Sequence, residues 1–467
     1  MPSQRIILAT CEKGAAEDLQ AMHGVHARME AAKAANPNLV EFAAREVWRP
    51  RQPESVADPL PAHAWTAAAR RRLALRQKRA QLRIGIPRVL SLYAYAPLFS
   101  AYLESLGVRA ENIVYSDVTT SEMYRSGSSR GSIDPCFPSK IAIAHFHNLL
   151  FRQHALKPLD AIFFPMFDVL ATKLVNTRAN NGCPTASITP ETVEAAYTKE
   201  TDLFAQRGIQ YVHPLVNLSH RALFARQMLQ AWAPLLGLSE KENQRAVDVG
   251  FRELERYESG LQRRARELLG QLEAEDRLGI VLLGRPYHHD PGINHEIFAQ
   301  FQRLGYPVFS QSTLPMDAEL DAELLERLFG DEVRAGVIAH PLDISDVWKT
   351  AFSANSNHKL WAAKFTARHP SLVAVEFSSF KCGHDAPIYS AIEQIVESSG
   401  TPFFSFKDMD ENRPANSIKL RVETIDYFLH RYREDRLPRK ANEGAGRGRA
   451  GAETCQNAPA NCRVLMD

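Results

Sequence analysis

Three cysteines occupy loops built to present a thiol. Cys136 lies in Asp134-Pro-Cys-Phe-Pro-Ser-Lys140, where prolines fix the backbone and Ser-Lys opens a helical segment. A thiol at a helix N-terminus meets unpaired N–H donors and the positive end of the dipole, which stabilises its thiolate. Cys183 lies in Asn180-Asn-Gly-Cys-Pro184, turn chemistry just before an expected strand, and Pro184 removes the next N–H. Cys382 lies in Ser378-Ser-Phe-Lys-Cys-Gly-His-Asp385, directly after another expected strand. Open α/β sheets place their sites at such strand ends, and Gly383 permits close approach to the thiol. Read singly, each cysteine fits a structural thiol at least as well as a functional one. Read together, thiolates at strand ends and helix starts suit an iron–sulfur cluster, and three would hold a [4Fe–4S] cluster with one iron left open. Their spacing is unlike the compact ferredoxin pattern, so spacing alone does not join them.

Other polar residues gather near these loops. His288, His289 and His295, with Asp290 and Glu296, follow the strand ending at Gly284. They fit a metal site less well than surface or hydrogen-bonding roles. Arg285 suits either an anionic group, such as a phosphate of a CoA ester, or an ion pair inside the fold. His384 and Asp385 could tune a cluster, donate a proton or simply orient the Cys382 loop. Lys140 and Lys381 could offset the negative charge of a thiolate-bound cluster. Cys455 and Cys462 lack close ligand spacing and read as two separate thiols.

The elements that must position these residues follow from pattern. Leu82–Pro87 reads as a strand, followed by a helix to Leu106 and strands at Asn112–Ser116, Asp160–Pro165 and Thr185–Thr189. A second set starts at Gly279–Gly284 and recurs at Pro307–Ser310, Gly336–Ala339, Leu372–Phe377 and Pro402–Phe406. Strands alternating with helix-length segments imply βαβ units and mainly parallel sheets, hence a two-lobed α/β protein. Between the lobes, Ser239 and Glu242 form a capping-box signature. Val247, Phe251, Leu254, Leu261, Ala265, Leu268 and Leu272 then make one apolar stripe. A helix packed on both lobes fits better than a coiled-coil seam, because Gly250, Gly260 and Gly270 weaken it. The expected domains are a peripheral helical region at 1–81, a first lobe at 82–238, the connecting helix at 239–276, a second lobe at 277–435 ending in an amphipathic helix from about Ser417 to Arg433, and a disordered tail at 436–467. No internal sequence repeat is visible.

Composition narrows the function classes. A chain of 467 residues has room for two or three domains. Its net charge of +2 gives no electrostatic case for nucleic acid, and the basic run from Arg70 to Arg79 reads as the solvated face of a helix. No apolar stretch approaches the roughly 20 residues of a bilayer span, and the apolar run at the N-terminus is too short for a signal peptide. A reducing, cytoplasmic location is therefore expected. Six cysteines are then thiols or metal ligands rather than a disulfide scaffold.

Taken together, Arg83-Ile-Gly-Ile-Pro-Arg88, Asp134-Pro-Cys-Phe-Pro138, Asn181-Gly-Cys-Pro184, Leu283-Gly-Arg-Pro-Tyr-His288, Asp290-Pro-Gly-Ile-Asn-His295 and Ser379-Phe-Lys-Cys-Gly-His-Asp385 resemble the iron–sulfur 2-hydroxyacyl-CoA dehydratase superfamily. The resemblance is closer to the dehydratase-like region that follows the ATPase module in acyl-CoA dehydratase activase-related proteins. It covers nearly everything but the tail. It implies two Rossmann-like lobes with a [4Fe–4S] cluster in the cleft, and it makes Cys136, Cys183 and Cys382 the cluster ligands. In that superfamily an ATP-driven activator injects one low-potential electron. The cluster passes it to a thioester carbonyl, and the ketyl radical expels the 2-hydroxyl group. Relatives with double-cubane clusters reduce small molecules instead.

This chain departs from the pattern. It has no glycine-rich phosphate loops of an ATPase module, so a separate or fused ATP-dependent activator is expected as partner. A double cubane wants about six neighbouring cysteines, and only Cys11, Cys455 and Cys462 are spare, so one cubane per chain is expected. The leading expectation is thus an iron–sulfur protein for low-potential electron transfer, or for radical dehydration or reduction of an acyl-CoA-type substrate, in anaerobic metabolism. The alternatives are a non-catalytic scaffold that docks an activator or dehydratase subunit, and a zinc or thiol enzyme using Cys382 and His384. An oligomer is compatible with each.

Overall fold

A computed structural model of the chain describes residues 27, 30–130, 136–379, 382–407, 409 and 415–446. The first lobe is built on β1 (Ile84–Ile86), β2 (Ile113–Tyr115), β3 (Ala161–Phe163) and β5 (Gln210–Val212). These form a wholly parallel sheet in the order β2-β1-β3-β5. A separate parallel ribbon pairs β4 (Met166–Val169) with β6 (Leu215–Asn217). The second lobe is built on β7 (Gly279–Leu283), β8 (Val308–Ser310), β9 (Leu372–Phe377) and β10 (Phe403–Phe406), in the order β10-β9-β7-β8 and again all parallel. Numbered within its own lobe, each sheet runs 2-1-3-4. The lobes therefore repeat one topology without a visible sequence repeat. In each, the switch point lies beside the first strand, at β1 and β3 in one lobe and at β7 and β9 in the other.

Strands β1, β3, β7, β8 and β9 are buried at every residue, as expected where helices cover both faces of a parallel sheet. Two expected strands are absent. Thr185–Thr189 forms the first turns of a helix, Pro184–Thr198. Its β-branched content suggested a strand, but Pro184 at the first helical position is pre-set for helix, and Ser187 N–H closes the first turn on Cys183 O at 2.8 Å. Gly336–Ala339 is a turn. The helix Ala322–Arg334 ends there, with Gly336 left-handed at φ +70° and Val337 N–H folded back to Glu332 O.

The bridging helix spans Glu240–Ala274. Ser239 Oγ caps it by accepting from Glu242 N–H at 3.0 Å. The Glu242 carboxylate is engaged elsewhere, in a two-pronged pair with Arg79 at 2.7 and 2.9 Å. The whole expected stripe is buried. Val247, Phe251, Leu254 and Leu261 join the first lobe's core, whereas Ala265, Leu268 and Leu272 join the second's. Gly250 is a contact glycine, because a Cβ there would stand 2.7 Å from Leu98 O in the helix Leu92–Ser105.

The N-terminal region is less peripheral than its sequence suggests. Ala43 and Val47 lie in the first lobe's core, while Leu39 and Val40 pack into the second lobe. Val308 N–H donates to Pro37 O, so the arm extends the second sheet beyond β8. The helix Ala67–Lys78 fits the solvated reading, since it buries no residue, but Arg79, the last of the basic run, is buried against Glu242. Other segments tie the lobes directly. Ile293 and Ala354 of the second lobe sit in the first lobe's core, Leu174 makes the reverse crossing, and Val175 N–H donates to Leu342 O.

The last helix spans Ala415–Gly446 and packs through Ile418, Val422, Ile425 and Leu429. It thus runs past residue 436, and the rest of the expected tail lies outside the described residues, as do Cys11, Cys455, Cys462, Lys381 and nearly all of residues 1–29 of the expected helical region. Among the described residues no helix is long and apolar enough to cross a membrane.

Arg79 and Glu242 are both nearly sealed from water. Burial opposes ionisation of Glu242, but hydrogen bonds from Arg79 and Asp58 N–H hold its pKa below the ordinary value. Removing one partner strands a buried charge, which costs about 3–5 kcal/mol. Glu242→Ala should lower stability by that amount in urea titrations, and Arg79→Met/Glu242→Leu should lose less than the single variant.

Candidate functional site

The C-terminal ends of β7 and β9 meet at the second lobe's switch point. After β7, Gly284 lets the chain close tightly, because a Cβ there would lie 2.6 Å from His288 Nδ1. That nitrogen accepts from Arg285 N–H at 2.9 Å, and His288 O accepts from the Asn294 amide. His288 is therefore a hydrogen-bonding residue of the turn Pro286–His289. After β9, Asp385 returns towards the same point. Arg285 Nη2 lies 2.7 Å from Asp385 Oδ1, with both side chains about 2% exposed or less. Lys359, from the helix Ala354–Arg368, lies 3.3 Å from Asp385 Oδ2 and 2.9 Å from Glu376 Oε1. Arg285 is thus ion-paired inside the fold.

Burial works against every one of these charges. For Asp385 it is outweighed by Arg285 and Lys359, which hold the carboxyl well below its ordinary range. For Arg285 it is outweighed by Asp385, with Tyr287, Cys382 and Cys183 adding to the effect. Glu376 goes the other way: burial prevails over Lys359, and its pKa rises. Arg285 Nε and Nη1 find no hydrogen-bond partner among the described residues. Sequence reading missed Lys359 and Glu376. The usable signal was a single acid inside the apolar run of β9, because a charge with neighbours of that kind must find a buried counter-ion.

Cys136 stands in extended backbone at the N-cap of the helix Phe137–Asn148, and Lys140 N–H donates to its carbonyl at 3.2 Å. Cys183 caps Pro184–Thr198 in the same way, so it precedes a helix rather than the expected strand. The two helices are joined by Ser139 Oγ and Thr189 Oγ1 at 2.8 Å. Gly182 lets the Cys183 loop press against β4, where a Cβ would stand 2.5 Å from Phe167 O.

The Cys183 and Cys382 loops are also stitched together. Asn181 N–H donates to Phe352 O at 2.7 Å, and Ala354 N–H returns to Asn181 O. The intervening Ser353 Oγ meets His384 Nδ1 at 2.9 Å, while Ser356 Oγ donates to His384 O. His384 therefore orients the loop. Cys382 N–H closes a turn on Ser379 O, and burial pushes the Cys382 thiol up, opposed chiefly by Arg285. All three cysteines are half-buried. Arg285 feels the charge of Cys382 and Cys183, and Tyr287 that of Cys382 and Cys136. All three thiols thus lie within electrostatic reach of one short turn. Lys140 Nζ sits over the Tyr124 ring. A separate set, Glu191, Glu194 and His213, lies by the edge strand β5 and is ion-paired, with His213 Nε2 3.3 Å from Glu194 and 3.7 Å from Glu191.

A buried polar chain crosses from the first lobe to Asp290. Arg88 N–H donates to Ser116 Oγ at 2.8 Å, and Ser116 Oγ lies 2.7 Å from His145 Nδ1. His145 Nε2 lies 2.8 Å from Thr119 Oγ1, which donates to Asp290. With Thr119 spending its proton on Asp290, it accepts from His145 Nε2–H, and Nδ1 then accepts from Ser116. The direction of the chain fixes the histidine tautomer. Burial pushes His145 down to about 3, so the ring is neutral.

Fold and site together describe a two-lobed parallel α/β protein in which the Cys183 and Cys382 loops are hydrogen-bonded to a common segment and the helices that Cys136 and Cys183 begin are joined. Residues 83–314 match the family model for the CoA enzyme activase uncharacterised domain (DUF2229). That stretch runs from the start of the first lobe through the bridging helix to just beyond β8. The match fits the activase/dehydratase-like superfamily broadly. No curated protein matches the chain.

Burial pushes Asp290 up to about 6 against hydrogen bonds from Thr119, Gly292 N–H and Tyr93 and the charge of Arg88. An acid whose pKa is raised by folding destabilises the fold once ionised. The cost is complete above about pH 6, fades as pH falls and is gone below the ordinary value of 3.8. Its size is on the order of 3 kcal/mol. Asp290→Asn keeps the shape, and Thr119 and Tyr93 can turn to accept from the amide. Denaturant titrations should find the variant more stable than the parent at pH 7.5, with the gain shrinking towards pH 4. A pH-independent difference would contradict this account.

Proposed function

We propose that Cys136, Cys183 and Cys382 bind one [4Fe–4S] cluster, and that the protein serves low-potential electron transfer in an acyl-CoA dehydratase- or reductase-type system driven by a separate or fused ATP-dependent activator. The observation that carries this reading is the joining of the thiol loops: Asn181 bonds Phe352 and Ala354, Ser353 meets His384, and Ser139 with Thr189 joins the helices that Cys136 and Cys183 start. The donor set fits the group. Three sulfur ligands suit iron–sulfur chemistry, and the fixed positive charge of Arg285 would offset the negative charge of a thiolate-bound cluster. Around Gly383 no described atom lies within 4 Å of the place a Cβ would take, so the Cys382 loop has room beside it.

A bound cluster would supply one-electron chemistry, its potential set by charge, hydrogen bonds and solvent access. The chain's own residues supply those terms. Asp385 holds Arg285 in place and charged, and Lys359 fixes Asp385. Cys382, kept protonated by burial in the metal-free chain, gives up its proton on ligation. His384, through Ser353 and Asn181, keeps the Cys382 and Cys183 loops in register. The family description supports a CoA thioester as electron acceptor and an activator as partner.

Anaerobic preparation should yield about four irons and four sulfides per chain with a cubane electron paramagnetic resonance signal after reduction. Cys183→Ala should lose most of the iron while keeping its circular dichroism spectrum. A reconstituted protein without iron sinks the proposal, and unchanged iron in the variant removes Cys183 from the ligands.

A further inference from the structure

A cavity of about 480 Å³ lies between the lobes, lined by both lobes and by the bridging helix. No cysteine lines it. Its walls are mostly apolar, with Tyr93, Tyr257, Leu261 and Met316 contributing buried side chains. Arg285 and His289, both at least nine-tenths buried, also line it. Arg285 Nε and Nη1 and His289 Nδ1 have no hydrogen-bond partner among the described residues. A buried polar atom left in that state destabilises the fold, more so when it is charged. Native structures rarely leave several together without a ligand or water to satisfy them.

The volume lies in the range of small-molecule sites. Asp385 occupies only Nη2 of the guanidinium, so the remaining N–H groups can still meet an anion. Glu255 and Glu258 line the same cavity but are offset by Arg221, 2.6 Å from Glu255, and by the charge of Lys173, so the open donors of Arg285 leave room for a monoanion rather than a multiply charged ligand. The apolar walls call for a hydrocarbon body rather than a bare inorganic ion.

We propose that this cavity binds a small amphipathic carboxylic acid, with its carboxylate against Arg285 and His289 and its hydrocarbon body against Tyr93, Tyr257, Leu261 and Met316. This goes beyond cluster binding and does not depend on it, since the site contains no cysteine and needs no metal.

The test is isothermal titration calorimetry on the full chain, in iron-free and in reconstituted form, with hexanoate and 1-hexanol as probes. Hexanoate should bind saturably at one site per chain in both forms, at least about tenfold more tightly than 1-hexanol, the worth of a hydrogen bond to a charged group. Met316→Trp narrows the cavity along its apolar wall and should weaken hexanoate at least about tenfold. Arg285→Lys keeps a cation opposite Asp385 but loses donors, and should weaken hexanoate at least about tenfold while leaving 1-hexanol unchanged. The proposal is overturned by equal affinity for the two probes, by no saturable binding at about 10 mM hexanoate, or by full binding in a folded Met316→Trp protein. Because the iron-free form is measured directly, a failed iron reconstitution and a failed hexanoate titration remain separate results.

Discussion

One carboxylate holds the second lobe's switch point together. Asp385 sits between Arg285, at the end of β7, and Lys359, on the helix that covers the sheet. Taking an ion out of water costs several kcal/mol, and a single buried pair often does no better than break even. Two cations on one carboxylate change that balance, and the depressed pKa of Asp385 reflects it. Glu376 adds a second carboxylate 2.9 Å from Lys359, its pKa raised by burial against that cation.

The rest of the architecture keeps the lobes in one relative position. The two sheets repeat the 2-1-3-4 order, yet neither lobe is closed by itself. The bridging helix gives four stripe residues to one core and three to the other. The N-terminal arm packs into both lobes, and the Asp290–Thr119 contact carries a buried polar chain across the cleft. Arg79 fastens the start of the bridging helix to the carbonyls of Leu236 and Leu106 as well as to Glu242. Each tie is modest, but they involve different elements, so a sliding motion of the lobes would break several at once.

Much of this was legible in the sequence, and the failures have physical causes. The strands β1, β7 and β9 were visible because parallel strands buried on both faces read as short apolar runs. The bridging helix was visible because a stripe facing two cores keeps one period throughout. Thr185–Thr189 was misread because β-branched residues favour strands on average, whereas Pro184 and the Cys183 cap decide the local outcome. The strands β4, β5 and β6, three or four residues long, are too short to show a period. Gly250 looked like a weakness in a helix and is instead the point where Leu98 approaches. At the site, the thiol loops stood out by their prolines and glycines, but their meeting could not be derived from spacing, since it depends on contacts such as Asn181 with Phe352. Lys359 and Glu376 were hidden because a buried ion pair joins residues far apart in the chain.

Among the described residues, unpartnered buried atoms occur singly elsewhere, as at Trp232 Nε1 and Gln302 Oε1, while buried groups such as Arg79, His145 and Asn243 have partners. Near the switch point, Arg285 and His289 retain unpartnered nitrogens, and Cys382 is a half-buried thiol beside a guanidinium. Such groups persist only where surrounding structure overdetermines them, and they concentrate at functional sites. Here the surroundings do so from both lobes: Cys136 and Cys183 start helices of the first, Cys382 and Arg285 end strands of the second. A ligand held between them meets groups already fixed in place, so little of its binding energy is spent on bringing the lobes together.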